Sequence, residues 1–475
     1  MNGPEPLSAV DAAWLRMDRP TNHMLICGMM LFEQRVELPL MKDVIRRRML
    51  CFHRFRQRVV GNGASACWET DEDFDLDWHV RRMALPAGAS LEQVAGDLVS
   101  TPLDRSRPMW QFHLIDDSHG GSAVLLRIHH CYGDGFALMH VLACMIDAEP
   151  GHWRATPADL GGNTPSGSAW ERLLGPAGQS AGLALRAALS ATMIGSDLLL
   201  HPFHALDYAR AGAEYASALA QIADMKPDAA SSLKGALGGI KRVAWAAPVP
   251  LSEVKALAAA LACSVNDVLV ACIAGALRNY LDEQGDCAAN AEVRALVPVN
   301  LRAPGPVSDL GNRFGMVFLS LPVAMEDPVE RVREVHRRMA ALRHSRQAVV
   351  SLGILDVMGR APDFLNDRLV DVLAANASMV ISNVRGAERP CYFAGRQIAR
   401  QLFWVPQSGG IGLGISLLSY AGSVALGVMA DARRLPDPGV LARHFVAEFE
   451  TLLLAMLMMP WPEDRQSASG RPRRH

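Results

Sequence analysis

Residues 125–142 read LLRIHHCYGDGFALMHVL, with two adjacent histidines, His129 and His130, followed four residues after the second by Asp134 inside a Gly133-Asp134-Gly135 turn. An imidazole is the side chain best suited to moving a proton near neutral pH, and a neutral imidazole is the form a general base requires. Residues 124–130 read as a strand, so alternation sends Leu126, Ile128 and His130 to one face and Leu125, Arg127 and His129 to the other. His130 therefore shares a side with apolar neighbours, where desolvation favours its uncharged form.

Gly133 and Gly135 permit backbone conformations closed to other residues, so the chain can turn sharply behind the imidazole and open a helix near Phe136. Asp134 is then a helix-start residue pointing back into the turn, placed to pair with an arginine or to fix the loop. Other readings compete. A histidine and an aspartate four apart can bind a metal, but no third ligand is visible nearby, so a metal site is not expected. Gly-Asp-Gly can cradle phosphate, yet no Lys-Ser or Lys-Thr follows. A purely structural histidine pair remains open. A Ser-His-Asp hydrolase lacks its GxSxG elbow, since neither AGSVALG nor QSGGIGLG fits it. Without a nucleophile in view, the acceptor itself is what His130 would deprotonate.

The surrounding elements form two groups. In the first, LSAVDAAWLRMD opens a helix with Ser8 as its cap, HMLICGMMLFE reads as a strand, and residues 38–60 begin as a helix whose polar face holds Arg46, Arg47 and Arg48. Residues 166–236 carry long Ala/Leu patterns of a helical connector. In the second group, residues 265–281 place apolar side chains at helical spacing. Ser264 and Asp267 form a capping box that starts this helix and sets Asn266 in its first turn. Strand patterns recur at VRALVPVN, MVFLSLPV, ASMVISNV, RQLFWVPQ and GLGISLLSY. Strands and helices mixed in both groups predict an α/β or α+β fold. The division is a first lobe over 1–165, the connector over 166–236, a second lobe over 237–461 and a disordered tail over 462–475.

Composition narrows the partners. A length of 475 residues, half of them apolar, exceeds what one core usually organises. Forty-seven basic against 49 acidic residues leave a formal charge of −2, so there is no global field for nucleic acid. Nine scattered cysteines without CxxC spacing, and a start lacking basic and apolar blocks, predict a cytoplasmic protein. No apolar run is long and charge-free enough for a transmembrane helix.

HHCYGDG matches the HHxxxDG signature shared by acyltransferases of the chloramphenicol-acetyltransferase-like fold and by condensation domains of peptide synthetases. LSAVDAAWLRMD, PLDRSRPMW, KRVAWAAPVPL, SVNDVLVACIAGALRNYL, VPVNLR, LGNRFG, SNVRGAERP and GLGISLLSYAGSVALGVMAD, in that order from Leu7 to about Glu450, resemble bacterial wax ester synthase/diacylglycerol acyltransferases. Met109 departs from that family's usual leucine by a volume-similar swap.

The resemblance implies two lobes, each a mixed sheet flanked by helices, with a tunnel at their interface and His130 near its middle. It also implies acyl-coenzyme A as donor substrate, with no cofactor, and a long-chain alcohol or diacylglycerol as acceptor. His130 would act as base without an acyl-enzyme, with His129 and Asp134 beside it in the catalytic motif and Asn266 as oxyanion donor. The protein would touch the inner membrane or lipid droplets peripherally. A condensation-type or polyketide-associated acyltransferase, using a carrier-bound acyl group, and a non-catalytic lipid-binding protein are the alternatives.

Overall fold

The computed structural model describes residues 5–61, 65–116, 120–150, 217, 220–222, 224–286, 293–302, 310–343, 345–360 and 363–458. The proposed tail lies outside the described residues, as does most of the connector; of the connector's described positions, 225–236 are irregular.

The apolar runs form two main sheets. The first has five strands in the order Arg400–Trp404, Leu25–Phe32, Ser122–His129, Trp110–Asp116 and Val80–Ala84, antiparallel except for the last pair. Its flanking helices Ala9–Arg16 and Gly135–Met145 start where the sequence predicts, with Ser8 accepting from the Asp11 amide at 3.1 Å and Asp134 capping the second.

The second sheet has seven strands, running Phe314–Leu321, Val293–Asn300, Met379–Arg385, Leu413–Tyr420, Ser423–Asp431 and Lys241–Trp245, with Val249–Pro250 paired alongside Ser423–Asp431. The helix Val265–Glu283 carries the expected capping box, in which Ser264 and Asp267 each accept from the other's amide. The spacing predicts one apolar stripe. Instead Asn266 to Leu277 are all buried, because the helix lies between the sheet and the helices Pro438–Leu457 and Pro328–Arg343.

Two expectations need correction. RQLFWVPQ is a strand, but it hydrogen-bonds to the first lobe's Leu25–Phe32 rather than joining the second sheet. Arg46 and Arg47 are exposed as expected, whereas Arg48 is fully buried and holds Asp147 at 2.7 Å. The helix Leu38–Val44 passes into a π-helical turn over Ile45–Met49. At about 100° per residue the third arginine stands on the far side of the axis from the first, and so faces the core.

The halves also meet where the helix Gln347–Arg360 crosses Ala9–Arg16. Gly359 sits so close to the Ala9 carbonyl that any Cβ there would collide with it.

Candidate active site

His130 sits where the strand Ser122–His129 leaves its sheet, its amide held by the Met24 carbonyl at 2.7 Å. The predicted alternation holds, since Leu126, Ile128 and His130 line one cavity. The His130 ring stacks on Trp14, with centroids 4.0 Å apart at 13°, and is tilted against Phe314 at 5.5 Å. Its Nδ1 lies 2.9 Å from Asn312 Oδ1. Asn312 Nδ2 donates to Asp11 Oδ1 at 2.7 Å and to the His130 carbonyl at 2.8 Å. Both amide hydrogens are thus spent on acceptors, which fixes Oδ1 toward the imidazole and places the ring hydrogen on Nδ1. Among the described residues Nε2 engages no partner and keeps its lone pair. Burial pushes the His130 pKa down to about 4, so the ring is neutral at neutral pH.

The sequence pairs His129 with this chemistry, but the structure puts it on the opposite face, away from the cavity. Its Nδ1 accepts the Cys131 amide at 3.2 Å, and its Nε2 lies 3.8 Å from Asp18 Oδ2. Burial holds it at about 4 as well. Burial alone would raise Asp18, yet the bond from His23 and the charges of His129 and His23 bring it down to about 2. His129 braces the turn that presents its neighbour.

Asp134 is buried and its oxygens are committed. Oδ1 accepts the Ala137 amide at 2.9 Å, while Oδ2 takes Arg302 Nη2 at 2.9 Å and the Arg313 amide at 2.8 Å. The expected arginine partner is therefore Arg302, from the other lobe. The two glycines act differently from the expectation. Gly133 is extended, at φ 164° and ψ 162°, and what requires glycine is proximity: a Cβ would stand 2.7 Å from the Leu310 carbonyl oxygen. Gly135 has open space around it and lines the cavity.

Asn266 is buried in the first turn of its helix, as predicted. Its Oδ1 accepts Asn383 Nδ2 at 2.8 Å, leaving its own Nδ2 with no partner among the described residues. Asn383 lines the cavity and Asn266 stands directly behind it.

The cavity, about 140 Å³, lies between the lobes and is lined mostly by apolar side chains. Its few polar side chains are His130, Asp134, Ser382, Asn383, Gln401 and Ser408. An apolar cavity with a neutral base in its wall suits the transfer of a group between two greasy substrates.

Residues 7–269 match the wax ester synthase/diacylglycerol acyltransferase catalytic domain, and residues 310–453 match the WS/DGAT C-terminal domain. The chain belongs to the wax ester synthase/diacylglycerol acyltransferase family. Its activity is that of an acyl-CoA-dependent O-acyltransferase. A Mycobacterium tuberculosis protein named as a probable diacylglycerol O-acyltransferase, tgs1, is 29% identical over 92% of this chain and 93% of its own length. A second diacylglycerol O-acyltransferase homologue from that species is 30% identical over 94% and 99%. Among solved structures, the wax ester synthase/diacylglycerol acyltransferase of Marinobacter aquaeolei has a TM-score of 0.64 at 22% identity, covering 95% of this chain and 99% of that one. The first condensation domain of the CDA synthetase has a TM-score of 0.58 at 17% identity, covering 95% and 96%. These two share the fold.

Sequence reasoning left several site residues without a role. Asp11 and Trp14 come from LSAVDAAWLRMD, Arg302 from VPVNLR, Asn312 and Phe314 from LGNRFG, and Asn383 from SNVRGAERP. Each of these stretches resembles the family, and the fold gathers them around His130 and Asp134. That collinear set was the signal available.

Proposed function

We propose that His130 Nε2 takes the hydroxyl proton of a long-chain alcohol or a diacylglycerol as its oxygen attacks the thioester carbonyl of acyl-coenzyme A. The new C–O bond gives a tetrahedral oxyanion. Its collapse breaks the C–S bond, and the imidazolium returns the proton to the departing thiolate, leaving an ester and free coenzyme A. The balance needs no cofactor. The single observation that carries this reading is a neutral histidine, with its hydrogen fixed on Nδ1, in the wall of an apolar cavity between two lobes.

Transfer is direct. The thiol that lines the cavity, Cys27, is pushed up to about 12 by burial, and Cys131 beside the base is likewise held well above the usual thiol range, so neither is a ready nucleophile. Asn266 supports the oxyanion indirectly: it does not line the cavity but accepts from Asn383, which does, and holds that amide in the wall. His129 and Asp134 hold the base in place. The mycobacterial names favour diacylglycerol as one acceptor. Both substrates partition into lipid, so the protein works in the cytoplasm against a membrane or droplet surface. Recovery wholly in the aqueous fraction after flotation with liposomes would count against that location.

The deciding assay combines purified protein with labelled palmitoyl-coenzyme A and either hexadecanol or dioleoylglycerol. Labelled ester and free coenzyme A are expected in equal amounts. His130→Ala should cut the rate by about 10²–10⁴-fold with the circular dichroism unchanged. A rate within a few-fold of the parent would remove His130 as base.

A further inference from the structure

Among the polar side chains that line the cavity and have no part in acyl transfer, one stands out. Gln401, on the strand Arg400–Trp404, is 3% exposed and lines the cavity, and its Nε2 has no partner among the described residues. Its other amide atom, Oε1, faces the bare backbone of Gly386, where a Cβ would come no nearer than 3.6 Å. A buried amide with an unmade hydrogen bond in an apolar wall calls for a ligand that supplies the missing oxygen.

Strand register gives its distance from the base. Gln401 pairs with Met30, and the His130 amide bonds to the Met24 carbonyl on the same strand, so the two sites are six residues apart along it. At about 3.4 Å per residue and about 4.8 Å for each of two strand spacings, Gln401 lies roughly 22 Å from His130. Alternation puts both on the face that looks into the cavity. The wall between them carries Ile26, Gly28, Met30, Leu126 and Ile128. An extended long-chain group with its reacting end at His130 therefore brings its far end to Gln401, while the glycerol part of a diacylglycerol stays too close to His130 to reach it.

We propose that Gln401 is a specificity-determining residue that reads the far end of one long chain, binding an oxygen function there and disfavouring a bare methyl terminus. The ligand class is a long-chain acyl group or alcohol hydroxylated at or near its end. This rests on the acyl-transfer reading of the same cavity. A hydroxyl at the chain end satisfies the amide, whereas a methyl desolvates it without return. Gln401→Leu, close in volume, removes the distinction.

The test measures kcat/KM in parent and Gln401→Leu for matched pairs. The donor pair is ω-hydroxypalmitoyl- and palmitoyl-coenzyme A; the acceptor pair is hexadecanediol and hexadecanol. Octanediol and octanol form a third pair, too short to reach the amide. In whichever long-chain pair occupies this arm, the ratio of oxygenated to plain substrate should fall by about tenfold in the variant, from a single hydrogen bond's contribution. The octyl ratio should stay the same in both enzymes. Equal ratios in parent and variant for both long pairs overturn the assignment, and so does a fall of the same size in the octyl pair. Failure of the parent to turn over any plain substrate sinks the acyl-transfer reading, and this assignment with it.

Discussion

Replacing Asn312 by alanine removes one side chain and three hydrogen bonds: to His130 Nδ1 at 2.9 Å, to the His130 carbonyl at 2.8 Å and to Asp11 Oδ1 at 2.7 Å. In the resting enzyme the first is a bond between neutral groups, worth about 1 kcal/mol. Once the ring takes the substrate proton it becomes a bond to a charged group, worth about 1.5–3 kcal/mol. Part of its contribution therefore appears only in the transition state. Loss of the fixed tautomer and of ring orientation adds to this, and the combined effect on the barrier is about 2–3 kcal/mol. At about 1.36 kcal/mol per tenfold, kcat should fall about 30- to 150-fold.

KM should hold within threefold, because Asn312 does not line the cavity. Asp11→Asn is the companion variant, since it keeps an oxygen for Asn312 Nδ2 and should stay within about tenfold of the parent. Initial rates against palmitoyl-coenzyme A at saturating hexadecanol, normalised to folded protein by circular dichroism, give both constants. A kcat for Asn312→Ala within threefold of the parent would refute the argument, as would a loss confined to KM.

Three other outcomes follow from the same geometry. Asp134→Asn keeps a helix cap but withdraws the carboxylate from Arg302, so unfolding should come about 3–5 kcal/mol sooner in a urea titration; an unchanged midpoint refutes the pair's structural role. Asn266→Ala frees Asn383 and should lower kcat about fivefold to tenfold with KM little changed, and unaltered turnover per folded enzyme removes it from oxyanion support. Burial holds His130 and His129 at about 4 and His113 at about 3, against 6.5 for an ordinary histidine. As pH falls from 6.5 toward 4 the unfolded chain takes up protons that the native state refuses. Stability is then lost at about 1.4 kcal/mol per pH unit for each of these groups. The acid limb of activity should thus be steep and coincide with loss of near-ultraviolet circular dichroism. A shallow one-proton limb near 6.5 in a folded enzyme would show that His130 is not desolvated.

What could be read along the chain was what the chain decides locally. The strand, turn and helix around His130, the caps at Ser8, Asp134 and Ser264, and the face shared by Leu126, Ile128 and His130 depend on residues within a few positions of each other. The partners of His130 and Asp134 do not. Asn312 is 182 positions from His130 and 301 from Asp11, and Arg302 is 168 from Asp134. No periodicity links such pairs, and only closure of the two lobes brings them together. Arg48 escaped the pattern because three consecutive arginines cannot share one helix face, and its buried partner Asp147 lies 99 positions away. RQLFWVPQ was recognisable as a strand, but pattern alone does not say which sheet a strand joins, and so the setting of Gln401 was hidden too.

The strand Arg400–Trp404 carries a mechanical consequence. Five of its residues pair with Cys27 to Leu31, so the C-terminal half supplies the outer edge of the N-terminal half's sheet. The molecule cannot hinge open like a clamshell without tearing that ladder. Neither half cut from the other would be whole: the N-terminal piece would expose a bare row of amides and carbonyls along Leu25–Phe32, an invitation to aggregate.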